Sequence, residues 1–120
     1  MFRYTVVMHT TTIGYNAFDC CNSLVSVTIG SGVESIGSSA FGNCFKLVEV
    51  INKSNLNITK GSDSYGYVAK YALNVKTEGT SDIVNVNDCL FYSADSKNYL
   101  IGYIGTSAEL TLPENYNGQT

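Results

Sequence analysis

Four cysteines, a single histidine and ten acidic residues are the side chains of this chain best equipped for catalysis or metal binding. Their spacing speaks against both. A structural zinc site takes four thiolate or imidazole ligands, commonly delivered as C-x-x-C pairs. Here Cys20 and Cys21 are adjacent, Cys44 and Cys89 stand alone, and His9 lies well before all of them, so no metal is expected. A Cys-His or Ser-His nucleophile pair would have to use His9, which reads as a bystander at the start of the chain. Asp63, Glu78, Asp82 and Asp95 fall in or beside runs of turn-forming residues, where carboxylates are solvated, and no pairing suggests glycosidase chemistry. Gly30-Ser31-Gly32 begins like a dinucleotide fingerprint, but Ser35 stands where the third glycine belongs and no long helix follows. "KGSDSYGYV" lacks the spacing of a phosphate-binding loop, so no cofactor is expected and the chain reads as non-enzymatic.

The elements that position these residues follow from a repeat. Ile13, Gly14, Ala17, Phe18, Cys21, Leu24, Val25 and Val27 recur 23 positions later as Ile36, Gly37, Ala40, Phe41, Cys44, Leu47, Val48 and Val50. A period in the twenties predicts a solenoid, in which each coil buries its apolar edge by stacking on the next. Leu24, Val27 and Ile29 have the spacing L-x-x-L-x-L, and Val27-Thr28-Ile29 alternates as a half-buried strand should. "GSG" at 30–32 supplies a turn, and "SSAFGNC" is expected to form a short helical or 3₁₀ turn.

The repeat also sets what the cysteines can do. Cys21 and Cys44 share one phase, so stacking puts their Cα atoms about 4.8 Å apart, within reach of a disulfide. Side chains on stacked coils run parallel, however, whereas a bridge needs Cβ atoms turned toward each other. Both are therefore read as small buried thiols. Cys20 has the phase of Asn43 and is the best candidate for a reactive thiol, although no neighbouring residue in sequence would lower its pKa. The triplets Asn52-Lys53-Ser54 and Asn57-Ile58-Thr59 match the glycosylation sequon but are frequent by chance.

The formal charge is −3, and the seven Lys and Arg are scattered singly, so nucleic acid and anionic membranes are not expected partners. No apolar run approaches the roughly 20 residues that span a bilayer. The opening "MFRYTVVMHTTTIG" is too polar for the core of a signal peptide. A repeat is already under way at Ile13, so the start reads as a cut through a longer protein.

The pattern "VTIGSGVESIGSSAFGNCFKLVEV" resembles the BspA-like class of leucine-rich repeats, whose units carry I-G-x-x-A-F-x-x-C-x-x-L-x-x-[IV]. The resemblance covers 13–52, and "ELTLPENYNGQ" at 109–119 looks like the opening of a further unit. From about 54 to 107 the beat lapses. Val68, Tyr71, Leu73 and Val75, then 83–86, 90–92 and 99–103, alternate with period two, separated by "TEGTSD" and "SADSKN". The expected architecture is mainly β: leucine-rich-repeat coils over 1–53, an inserted antiparallel β-meander over 54–107, and the start of a further coil over 108–120.

Alternate residues of each repeat strand point to the concave face, which selects Ser26, Thr28, Glu49, Ile51, Glu109 and Thr111 as candidate binding residues. Tyr65, Tyr67, Tyr92, Tyr99 and Tyr103 are second candidates, since tyrosine offers broad amphipathic contact area. The resemblance implies a cell-surface or extracellular adhesion module of the kind found in bacteria living on animal hosts, with a host, matrix or other cell-surface protein as partner. An open repeat edge would also permit self-association. The alternative is a spacer with no ligand of its own.

Overall fold

A computed structural model of the chain describes residues 3–6 and 10–105. Within them the protein is mainly β, and no helix forms. The chain divides into a unit spanning 1–81 and a second spanning 82–120.

In the first unit, strands β1 (Arg3–Val6), β3 (Ser26–Ile29), β5 (Glu49–Asn52) and β6 (Asn74–Lys76) form a parallel sheet in that order. The two-residue strands β2 (Thr12–Ile13) and β4 (Ser35–Ile36) pair separately, also in parallel. Register carries the repeat: Val27 lies opposite Val50 and Ile13 opposite Ile36. The β-branched run Val27-Thr28-Ile29 suits a pleated strand, where a restricted χ1 costs little. Leu24, Val27, Ile29, Phe41, Leu47 and Val50 are all buried in one core cluster.

The runs between strands repeat hydrogen bond for hydrogen bond. Ala17 N–H donates to Gly14 and Ala40 N–H to Gly37; Cys21 N–H donates to Phe18 and Cys44 N–H to Phe41. Each run also bonds to its neighbour, with Phe18 N–H donating to Ala40 O at 2.6 Å and Cys20 N–H to Gly42 O at 2.8 Å. Here the structure corrects an expectation. "SSAFGNC" is a chain of tight turns and not a helical or 3₁₀ turn, because Ser39 and Asn43 take positive φ, as do Asn16 and Cys20 one coil earlier. A left-handed residue every fourth position stops helix propagation. The N–H groups so released bond to the adjoining coil.

The stack also runs further at both ends than the sequence motif suggested. β1 pairs with β3 at the same 23-residue offset, Tyr4 opposite Val27. β6 pairs with β5 at an offset of 25, Val50 opposite Val75. Residues 64–71 are turns, although an alternating strand was expected from Val68 to Val75, and Val68, Ala69 and Ala72 are buried in the same core. The change of architecture thus falls between 81 and 82 and not at 54.

In the second unit, β7 (Val84–Val86), β8 (Cys89–Ala94) and β9 (Lys97–Tyr103) form an antiparallel meander. Asp95-Ser96 closes the expected hairpin at 93–98. A second tight turn at Asn87-Asp88 joins β7 to β8, and all four turn residues have positive φ. Two left-handed central residues define the type I′ turn, whose twist matches that of the flanking strands. "TEGTSD", expected as a hairpin loop, instead leads from β6 toward β7.

Candidate functional site

The structure brings the strand-face candidates together and buries most of them. Ser26 lies opposite Glu49 and Thr28 opposite Ile51 in the β3–β5 register. Glu49 and Ile51 have no exposed surface, Ser26 is 2% exposed, and Thr28 alone is intermediate. Alternation fixes which way a side chain points but leaves open whether that face meets water, and parallel sheets are commonly covered on both sides. The Ser26 hydroxyl donates to Glu49 Oε1, so the buried carboxylate serves the fold. The expectation that Ser26, Glu49 and Ile51 line an accessible concave face is therefore corrected. Glu109, Thr111 and His9 lie outside the described residues. Among the second candidates Tyr92 is fully buried, Tyr65, Tyr99 and Tyr103 are half-buried, and Tyr67 is exposed.

All four cysteines are free thiols. Cys44 is buried and its S–H donates to Phe18 O at 3.1 Å, while Cys20 is exposed, 3.7 Å from the Asn43 amide. Burial pushes the Cys44 thiol from its ordinary 9.0 up to about 11. The unfolded chain therefore loses this proton about two pH units before the folded one does. Stability from this group is complete below pH 9 and falls as pH rises toward 11, by up to about 3 kcal/mol. Urea titrations at pH 8 to 11 should show wild type losing stability more steeply than Cys44→Ala; parallel curves would rule this linkage out. Among the described residues no group of His, Cys, Asp and Glu side chains has the geometry to hold a metal ion.

The apolar surface that the first unit presents to solvent includes rings on its turn side. Among the described residues its exposed large hydrophobics are Tyr15, Phe45, Tyr67 and Tyr71, and each of these sits in a turn run. Phe45 meets Tyr71 of the next coil edge to face, ring centroids 5.4 Å apart. The Lys70 ammonium lies 5.4 Å from the centre of the Tyr67 ring and 2.9 Å from Asp63, whose hydrogen bond and negative charge hold its pKa above the ordinary range. Beside these rings a groove of about 370 Å³ crosses three coils. Asn16 and Asp19 come from the first, Asn43 from the second, and Tyr67, Lys70 and Tyr71 from the third. Sequence reasoning named Tyr67 alone of this set, and for another reason. The signal it lacked was the third coil, which places "YGYVAKY" beside "SSAFGNC".

A stack of short parallel strands and hydrogen-bonded turns, returning after 23 residues and then after 25, with aromatic rings on its turn side, defines a repeat protein. The family model of the BspA type leucine rich repeat region (6 copies) matches residues 4–101, and the chain belongs to that family. No curated protein and no solved structure matches it. Among the described residues no helix is long and apolar enough to cross a membrane.

Proposed function

We propose that this chain is a non-enzymatic protein-binding module, part of a cell-surface adhesion protein whose coils continue as a solenoid and bind through their turn side. One observation carries the reading: among the described residues of the first unit the exposed large hydrophobics lie in the turn runs of successive coils. Clustered aromatic side chains on a rigid scaffold are what protein-binding hot spots are made of. Membership of a leucine-rich-repeat family supports an interaction role, and the surface location and the host, matrix or cell-surface partner are our extension of it.

The test is a binding screen of the 120-residue chain against extracellular-matrix and serum proteins, with a Phe45→Ala, Tyr71→Ala variant alongside. Phe45 is 58% and Tyr71 38% exposed, and neither belongs to the core cluster, so the variant should fold as judged by circular dichroism. Bound partners should be lost or weakened about tenfold, the effect of removing about 1.4 kcal/mol of contact energy. A folded chain that binds nothing would favour the spacer reading. Sedimentation of the same samples tests for the self-association that an open repeat edge would permit.

A further inference from the structure

We propose that the turn-side groove is a binding site for a neutral sugar ring. The inference rests on the adhesion reading and sharpens it, because it makes a glycan on the partner the feature recognised.

The lining carries the chemistry of such a ligand. A pyranose has an apolar face of C–H groups and an equator of hydroxyls that both donate and accept. Tyr67 and Tyr71, each nearly two-fifths exposed, offer ring surface to the first. Asn16, Asp19 and Asn43 offer amide and carboxylate groups to the second, and an amide can donate and accept at once. Among the described residues neither Asn16 nor Asp19 makes a side-chain hydrogen bond. The groove, at about 370 Å³, falls at the lower end of the range of small-ligand sites, roughly 300–1,000 Å³.

Charge narrows the choice. Asp19 is the acidic group of the lining, and the one cation, Lys70, is already paired with Asp63 at 2.9 Å. A phosphate or sulfate would meet a carboxylate and a neutralised lysine. A neutral polyhydroxylated ligand meets complementary partners throughout.

Two features of the backbone hold the groove open. Gly42 leaves the space that the Asp19 carboxylate occupies: a Cβ there would lie 2.8 Å from Asp19 Oδ1. Tyr67 takes φ 65° and its neighbour Tyr65 φ 56°, a conformation that bulky residues rarely adopt. Strain of this kind persists where the surrounding structure enforces it and often accompanies a binding site. Glycine at position 67 would adopt the same φ without that strain, so it can remove the ring while keeping the turn.

The experiment is saturation-transfer NMR on the 120-residue chain with the methyl glycosides of galactose, glucose, mannose and N-acetylglucosamine, and with sialic acid as the anionic comparison. At least one neutral glycoside should receive saturation on its ring C–H protons, and sialic acid should not. Tyr67→Gly should weaken that binding about tenfold while leaving the urea midpoint unchanged or raised; Asn43→Ala should weaken it too, and Tyr15→Ala, outside the groove, should not. The proposal is overturned if no neutral glycoside receives saturation, or if the groove variants bind as wild type does. Any protein captured in the screen is then tested before and after enzymatic deglycosylation. Equal binding would remove the sugar inference and leave protein recognition standing, whereas binding lost on deglycosylation would support both.

Discussion

Gly66→Ala is expected to destabilise the first unit by about 2–5 kcal/mol, the sum of about 1–2 for a side chain at positive φ and about 1–3 for overpacking. Gly66 has φ 65°, and a Cβ added to it would lie 2.6 Å from Gly37 O and 2.8 Å from Ala40 N. Both atoms are backbone of the preceding coil, so neither can swing aside. The same residue's carbonyl accepts from Phe41 N–H at 2.9 Å, a bond that tethers the third coil to the second. Three other glycines separate the contributions. Gly61 has positive φ and open space, so Gly61→Ala should cost about 1–2 kcal/mol. Gly37 lacks positive φ, but an added Cβ would lie 2.7 Å from Tyr15 N, so Gly37→Ala should cost about 1–3 kcal/mol. Gly14 has neither restriction, and Gly14→Ala should be neutral or slightly stabilising through the unfolded chain. Urea midpoints of the four variants make the comparison, and a Gly66→Ala midpoint equal to that of Gly14→Ala would refute the close contact between the second and third coils.

That contact shows what the sequence could and could not reveal. Gly14 and Gly37 were visible because isoleucine precedes each and an Ala-Phe pair follows at a fixed interval. Gly66 sits between two tyrosines, and its coil replaces Cys44 and Leu47 with Ala69 and Ala72, which fill the same phase in smaller volume. The coil also returns after 25 residues and not 23. Spacing and residue type changed together, and the remaining apolar residues happened to alternate. Register in a stacked sheet is set by which backbone groups meet, and Leu73 N–H still donates to Val48 O at 2.7 Å, as Val48 N–H does to Val25 O at 3.1 Å. Tyr4-Thr5-Val6 repeats the rhythm of Val27-Thr28-Ile29 and was readable in principle, though too short to stand out without its partner strand.

The candidate surface was harder to read, and for a different reason. Direction along a strand follows from alternation, and the 23-residue period sets Ser26 opposite Glu49 and Thr28 opposite Ile51. Exposure depends on what else covers the sheet, and no local pattern encodes that. The apolar Ile51 and the satisfied Ser26–Glu49 pair are what a covered face requires, since a buried carboxylate without a donor would be costly. On the turn side the logic reverses. Phe41 fills the core with Phe18 packed against it, whereas Phe45 and Tyr71, likewise aromatic and also in turn runs, remain exposed.

Phe41 and Phe45 turn that reasoning into the second large prediction. The two phenylalanines are four positions apart in one turn run, yet Phe41 is 1% exposed and Phe45 58%. Phe41 stacks on Phe18 of the previous coil, ring centroids 5.0 Å apart and planes 13° from parallel. Truncation at 41 removes a buried ring and leaves a cavity that backbone hydrogen bonds to both neighbouring coils keep from collapsing. Phe41→Ala is therefore expected to cost about 3–5 kcal/mol. Phe45→Ala makes the same chemical change on the surface and should stay within about 0.5 kcal/mol of wild type. Paired urea titrations with unchanged m-values measure the difference directly. Comparable losses at 41 and 45 would mean that the turn run is rotated so as to bury Phe45, and the aromatic face and the groove that depend on its orientation would go with it. A loss confined to Phe41 would leave Phe45 free for a contact beyond the fold, which is the condition the binding proposal needs.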